Sequence, residues 1–488
     1  MFRTLLIQSR KQSGSVKKTV SLLAAVLVLI TINLLPLERI PLNMGDTAQL
    51  TAAGKAALAI LAFVIVLWVT EALPFAVSAL VGMLLVPAFG MASFSETVSY
   101  GFGNAVIVFF IGVLIISAGL TRSGLADRLT ALILNKVGFQ PRKLIFTFLV
   151  IGAALSMWIV NMSVSAILLP IGLNLLRQAK AVPMQSNFGR ALMISIAWGP
   201  AIGGIATPVG NGANIVALGY LRELAGVNID FLRWMLVGVP AALAILPLAY
   251  LVLTRVFPPE ELSPVEFKPP QEAVRIALQP AEIKALAIFA AAVLFWVGDP
   301  LLLRLTGISI SLEAVALAAA VLFFMPGVEL LSWKEAQHDI DWGGIVLIAA
   351  GLSLGMVIFQ TGAARWLAVL TFSSIGVLGL ALRIFVAVLA VELLKVFFSS
   401  NTVTGVILVP LVIALAGDMG LDPWLLAGPV AVATSLAFLL VTSSPTNVIP
   451  YAAGYFSIKD FARAGIPLTL LIPFCITLAF IIFGHLVG

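Results

Sequence analysis

Leu393-Leu394-Lys395-Val396-Phe397-Phe398-Ser399-Ser400-Asn401-Thr402-Val403 belongs to a largely apolar run that continues to Leu415. At its centre, Ser400-Asn401-Thr402 is polar where a bilayer-spanning segment tolerates no unsatisfied backbone. An imperfect copy, Val160-Asn161-Met162, stands earlier in the chain. A proline closes both copies at the same distance, Asn161 to Pro170 and Asn401 to Pro410. A polar tip repeated once per half, at hydrocarbon depth, is how membrane carriers build a binding site near the bilayer midplane.

Working outward, the 488 residues are 61% hydrophobic and only 10% charged, against about 25% charged in soluble domains. The composition predicts an all-α polytopic membrane protein. Apolar stretches of spanning character run from Thr19–Pro36 through Ala56–Leu73, Pro74–Phe89, Ala105–Gly119, Leu144–Trp158, Ile194–Leu218 and Trp234–Leu253. They continue with Ala285–Leu302, Ile310–Met325, Gly344–Phe359, Leu378–Leu394, Leu425–Leu440 and Ile466–Phe483. Several fall short of the roughly 20 residues a span needs, which points to re-entrant hairpins. The single cysteine, Cys475, excludes an intramolecular disulfide framework. The net charge of +6 is spread over short hydrophilic stretches, beginning with Arg3, Arg10, Lys11, Lys17 and Lys18. That pattern reads as topology by the positive-inside rule, with a cytoplasmic N-terminus and a retained first helix, rather than as a nucleic-acid surface.

The most hydrophilic internal stretch divides the chain. The reading is a cytoplasmic tail and first helix over 1–55, a first repeat over 56–256 with its hairpin near 144–175, a linker over 257–284, and a second repeat over 285–488 with its hairpin near 380–413. After each hairpin comes Gly-Pro, at Gly199-Pro200 and Gly428-Pro429. A polar break follows, Thr207-Pro208-Val209-Gly210-Asn211-Gly212-Ala213-Asn214 or Ser443-Ser444-Pro445-Thr446-Asn447. Asp-Phe-x-Arg closes each copy, at Asp230 and Asp460; the copies lie 240 residues apart at the hairpin and 230 at this marker. An internal duplication, inverted in the membrane, accounts for four markers in one order. No Gly-Lys-Ser/Thr phosphate loop is present, which argues against a built-in ATP motor.

At each break, helix ends expose unpaired backbone groups. The N-terminal ends favour anions, and freed carbonyls suit a hard cation such as sodium. Asn401 offers both donor and acceptor, and the Ser400 and Thr402 hydroxyls can serve either a carboxylate or a cation. Proline and glycine in Thr207–Gly212, and Pro445, release further backbone groups.

These residues resemble the divalent anion/sodium symporter family, whose members carry dicarboxylates, citrate or sulfate. The resemblance rests on Ser400-Asn401-Thr402, Trp68-Val69-Thr70-Glu71-Ala72-Leu73-Pro74, the break from Thr207, and Ser444-Pro445-Thr446-Asn447. Gly103-Asn104 leading to Ser123-Gly124-Leu125, and Asp341-Trp342-Gly343 leading to Thr361-Gly362, extend it over nearly the whole chain from Ala56. It implies about eleven transmembrane helices plus two re-entrant hairpins, a scaffold domain with a homodimer interface, and a transport domain moving as an elevator. Carried over, substrate contacts fall on Asn161, Ser163, Thr207, Ser400, Asn401, Thr402, Ser444, Pro445, Thr446 and Asn447. A first sodium site would use Ser156, Asn161 and carbonyls near Gly204–Val209. A second would use Asn401 with oxygens near Val396, Ser399 and Ser443. Sodium is the coupling ion the resemblance implies, with proton coupling or exchange left open by the residues, and no other cofactor is implied.

The chain departs from the family pattern in two places. Val160 and Met162 stand where hydroxyl residues are common, and Phe397 replaces an acidic residue. Lys395 appears nearby, three residues after Glu392. An intramembrane lysine is expensive and marks function or pairing. Three readings stand: an i,i+3 pair with Glu392 that holds the helix, a cation surrogate supplying charge that sodium supplies elsewhere, or snorkelling to the interface. Glu71 reads as a structural hydrogen-bond anchor, and His338 as a solvated loop residue. The expected function is a secondary transporter of C4-dicarboxylates or citrate-like anions in a bacterial cytoplasmic membrane, by sodium symport or anion exchange, and not an enzyme. A sulfate carrier is the near alternative and an anion channel the distant one.

Overall fold

The computed structural model describes residues 2–37, 50–260, 278–372 and 378–486. Eight helices among them are long and apolar enough to cross a membrane, and Phe75–Ala88, Leu312–Leu322 and Pro423–Thr434 are shorter apolar helices. The chain is thus a multi-pass, all-helical membrane protein. The basic N-terminal stretch is part of the first helix, Phe2–Leu34. Of the linker expected over 257–284, residues 261–277 lie outside the described residues. Its first residues dock: the Glu260 carboxylate accepts from Phe188 N at 2.9 Å and from Ser186 Oγ at 3.2 Å, at the N-terminus of the helix Asn187–Gly203. Burial pushes the Glu260 carboxyl up, but these donors outweigh it and hold it below the usual range.

The duplicated motifs do the same backbone work in each half. Asn104 caps the helix Ala105–Arg122 through Val106 N, and Asp341 caps Trp342–Gln360 through Gly344 N. Just beyond those helices the chain turns at Gly124 (φ 79°) and Gly362 (φ 77°), a left-handed geometry that glycine adopts without strain. The Asp-Phe-x-Arg copies are less equal. Asp230 is itself the N-cap of Phe231–Val256. Asp460 sits inside a capping box whose cap is Ser457, so the last long helix begins at Ile458.

Packing exchanges the halves. Gly212–Ala225 of the first half lies on Asn401–Asp418 of the second, while Pro445–Tyr451 of the second lies on Asn161–Gln178 of the first. Likewise Phe75–Ala88 packs on Trp342–Gln360, and Leu312–Leu322 on Ala105–Arg122. This reciprocal exchange is what a two-fold relation between duplicated halves produces.

Two expected spans are broken. Ile194–Leu218 is not continuous: the helix ends at Gly203, the chain unwinds, and a new helix starts at Gly212. Leu425–Leu440 stops being helical at Thr434. In each case an asparagine takes up the released carbonyls. Asn214 Nδ2 donates to Gly204 O (2.8 Å) and Thr207 O (2.9 Å), and Asn447 Nδ2 donates to Ala437 O (2.8 Å) and Leu440 O (3.5 Å). The spacing back along the chain is the same in both halves.

The first hairpin's entering arm, Pro141–Ser156, is pressed against Asn187–Gly203 through small residues. A Cβ built on Gly203 would lie 2.0 Å from Ala153 O, which is backbone and has no rotamer to escape into. At Gly298, in the helix Pro280–Thr306, nothing lies within 4 Å of the place a Cβ would take. Gly203→Ala is therefore expected to destabilise by about 1–3 kcal/mol through overpacking. Gly298→Ala is expected to be neutral or slightly stabilising. Thermal unfolding of the two variants in detergent, compared with the parent, checks the contrast.

Candidate functional site

Each hairpin tip is the start of a helix. Asn161–Gln178 begins after Val160, which offers no side-chain cap; Asn401–Asp418 begins after Ser400, whose hydroxyl accepts from Val403 N at 3.4 Å. A third helix, Gly212–Ala225, starts from the first polar break, capped by Asn211 through Ala213 N at 3.0 Å. All three N-termini open onto one cavity of about 890 Å³. An uncapped or partly capped helix start carries about half a positive charge, so three of them make a field that favours anions at the tips, while Asp127, Asp339 and Asp341 line the same cavity with carboxyl groups.

Of the expected substrate contacts, Asn161, Ser163, Ser400, Asn401, Thr402, Ser444, Pro445 and Thr446 line this cavity, together with Val160 and Met162. Thr207 and Asn447 do not. Thr207 is fully buried with its hydroxyl donated to Met157 O, and Asn447 serves the carbonyls named above. Both hold the breaks in shape behind the lining. The two halves meet closely: a Cβ on Gly212 would lie 3.0 Å from Thr402 Oγ1. Ser117, which nothing in the sequence singles out because its helix is otherwise apolar, accepts from Val160 N at 3.3 Å and lines the cavity.

Behind the first tip, one atom of the Asn161 amide faces three oxygens: Ser156 Oγ at 2.5 Å, Gly210 O at 2.9 Å and Pro200 O at 3.2 Å. The other faces Asn211 Nδ2 at 3.2 Å. With the amide nitrogen toward the three oxygens every contact is a hydrogen bond. With the amide oxygen toward them, the four oxygens become a hard, uncharged donor set of the kind sodium takes where helices are unwound. Gly204 makes the room, since a Cβ there would lie 2.3 Å from the amide.

The second tip is built otherwise. Asn401 Oδ1 accepts from Lys395 Nζ at 2.6 Å, and the same ammonium donates to Thr434 O at 2.7 Å. Asn401 Nδ2 donates to Ser435 O at 3.0 Å, and Ser435 Oγ donates across the halves to Asn214 Oδ1 at 2.8 Å. Lys395 is 2% exposed, so it does not snorkel. Its ammonium is turned to the tip and makes no ion pair with Glu392, as the i,i+3 reading required. Ser443 Oγ donates to Lys395 O at 3.1 Å, and Ser399 Oγ donates to Glu71 Oε1 at 2.7 Å. Thr434 O meets Lys395 Nζ and Ser435 O meets Asn401 Nδ2, two carbonyls the sequence did not single out because they lie in an otherwise apolar run. Glu71, at φ 49°, ties the turn after Ala52–Thr70 to the second tip.

At the cavity rim Arg122 bridges Glu335 (2.8 Å) and Asp339 (2.5 Å). The guanidinium, through its hydrogen bonds, holds the Asp339 carboxyl below the usual carboxylate range. His338 is on the exposed face of the short helix Trp333–Asp339.

A family model described as "Sodium:sulfate symporter transmembrane region" matches residues 16–488. The chain belongs to that family. It is a membrane transporter, as the repeated tips indicate. Among its relatives, the "Sodium-dependent dicarboxylate transporter SdcS" of Staphylococcus aureus (strain USA300) is 29% identical over 435 residues, 84% of this chain and 82% of the relative. The protein of the same name from Staphylococcus saprophyticus is 27% identical over 445 residues, covering 87% and 85%. Two solved transporters share the fold. The Alcanivorax borkumensis YdaH transporter has a TM-score of 0.54 at 14% identity, covering 81% of this chain and 89% of that one. Neisseria gonorrhoeae MtrF has a TM-score of 0.56 at 15% identity, covering 97% and 96%.

Gly204→Ala puts a methyl group against the Asn161 amide without removing any residue that lines the cavity. It is expected to weaken sodium binding at the first tip by at least about tenfold, the value of roughly 1.4 kcal/mol of lost coordination. Sodium-induced thermal stabilisation of the purified protein, titrated for parent and variant, measures it.

Proposed function

We propose that this protein is a secondary carrier for small dicarboxylates, holding the anion between the two tips and moving it by elevator-type alternating access as a homodimer in a bacterial cytoplasmic membrane. The anion would sit where the helix N-termini of Asn161, Gly212 and Asn401 converge, its carboxylates taken by Asn161, Asn401, Thr402, Ser444 and Thr446. A sodium ion would be held by Ser156 Oγ, the Asn161 amide oxygen and the carbonyls of Pro200 and Gly210, adding positive charge beneath the first tip. The relatives' names point to dicarboxylates and to sodium.

One observation carries the coupling: the Lys395 ammonium lies between Asn401 Oδ1 and Thr434 O. It puts a unit of positive charge beneath the second tip, where a second sodium would otherwise be needed. A tethered cation travels with the carrier and is not released. Sodium then acts at one tip rather than two. The Glu71–Ser399 hydrogen bond joins the second tip to the first-half scaffold, and an elevator stroke has to break it.

The same charge favours a second reading, anion exchange. A buried lysine with no anion beside it is costly to carry through a bilayer, so an empty carrier would return slowly and a loaded one quickly. Counterflow in liposomes with succinate, citrate and sulfate, each with and without sodium, separates the readings. Succinate uptake is expected to rise with sodium at a Hill slope near one. Lys395→Ala is expected to lose at least about tenfold in apparent succinate affinity or to recover it only with a second sodium. A sodium slope near two in the parent, unaltered by Lys395→Ala, contradicts the assignment. Unitary currents in place of saturable counterflow would make the protein a channel.

A further inference from the structure

Glu392 is used by nothing described so far. It lies in the second hairpin's entering arm, Leu380–Leu394, three residues before Lys395, and is 2% exposed. Its Oε1 is buried with no hydrogen-bond partner. A carboxylate that has left water and finds no donor is among the costliest groups a protein can hold, and it takes a proton instead when no partner is supplied. The obvious partner is near in sequence, but the Lys395 ammonium is directed to Asn401 and Thr434.

The elements packed on this arm bring little other charge. The helix Pro423–Thr434 carries no titratable side chain. Ile458–Phe483 carries Lys459, Asp460, Arg463 and Cys475; Asp460 is engaged by its own cap and by Arg190 at 3.5 Å. The short turn Lys395–Phe397 brings Lys395, and the arm itself carries Arg383, whose Nε donates to Leu378 O at 2.7 Å at the far end. Among the described residues, Lys395 is the charge that bears on Glu392.

We propose that Glu392 is a proton-binding site that switches the net charge of the second tip as the anion comes and goes. This rests on the reading of Lys395 as the tip's built-in cation. With the anion bound, Glu392 holds a proton taken from water, and Lys395 contributes a full positive charge to the dianion. When the anion leaves, Glu392 gives the proton back to water and its carboxylate neutralises Lys395 from one turn away. The empty carrier then crosses with no net charge from the Glu392–Lys395 pair. Each turnover therefore moves one proton with the anion, and the cost that would otherwise restrict the carrier to exchange is removed.

Proteoliposomes with equal sodium on both sides and an imposed pH gradient test the coupling, using succinate as the probe. Uptake into the alkaline interior is expected to rise several-fold over the no-gradient control. Glu392→Gln is expected to lose that stimulation and to exchange succinate at a rate that no longer varies with pH, while Glu392→Asp keeps the stimulation. Retention of the parent's gradient response in Glu392→Gln overturns the proposal. So does a sodium dependence that Glu392→Gln removes while the pH response stays, since that would make the carboxylate a sodium ligand. A readout free of transport is the infrared C=O band of a protonated carboxylic acid in the purified protein. It is expected to appear when succinate is added to the parent and not when it is added to Glu392→Gln, and its failure to appear in the parent overturns the proton site. Failure of every anion to give counterflow in the parent, with that band present, overturns the transport reading and leaves the proton site standing.

Discussion

Backbone that leaves the helix inside a bilayer must find its hydrogen bonds within the protein, because hydrocarbon offers none. In this chain the requirement is met by a pair of asparagines, Asn214 and Asn447, each reaching back to two carbonyls freed by the break before it. Everything at the tips depends on those pins. They allow two helices to stop at membrane depth, Asn187–Gly203 and Pro423–Thr434. Further carbonyls of the broken stretches, Gly210 O and Ser435 O, face Asn161 and Asn401. The same breaks aim helix N-termini at the cavity from the other side. Anion-attracting N–H ends and cation-attracting carbonyl ends are thus two consequences of one unwound geometry.

The duplication makes two such sites, and the chain has since equipped them differently. At the first, the oxygens around Asn161 carry no formal charge, so any cation there comes from solution and leaves again. At the second, a lysine side chain has entered the equivalent ring of oxygens through Asn401 and Thr434. In a carrier of dianions, positive charge beneath both tips would offset the charge of the cargo. Whether that charge is borrowed or built in decides how much of a gradient the carrier can use. A buried glutamate one turn away from the built-in charge offers a means of cancelling it when the anion is gone.

Much of this was legible in the residues. Asn161 and Asn401, with prolines at equal distance, marked the tips. Gly103-Asn104 and Asp341-Trp342-Gly343 marked equivalent helix starts, because capping asparagine and aspartate act through neighbours a few positions away. The glycines of the first break announced that the helix is interrupted there, and Pro445 announced the start of the short helix Pro445–Tyr451. What could not be read was any contact made by a side chain whose chemistry is ordinary in its own segment. Ser117 sits in an apolar helix and Thr434-Ser435 in an apolar run, yet they serve Val160 N, Lys395 Nζ and Asn401 Nδ2 respectively. Thr207 and Asn447 looked like lining because they stand in polar motifs, but the Thr207 hydroxyl and the Asn447 amide nitrogen are spent on backbone behind it.

By itself the sequence determined the class: composition demanded a bilayer, the repeated tips demanded a site within it, and the motifs named the family. Local chemistry suffices for these, since helix ends, breaks and apolar length are properties of consecutive residues. The direction of the Lys395 ammonium was decided only by the tertiary structure. Glu392, the interface and the tip were all within reach of its flexible stem. The folded chain alone puts Asn401 Oδ1 and Thr434 O where two of its protons can be donated, and leaves Glu392 Oε1 with none.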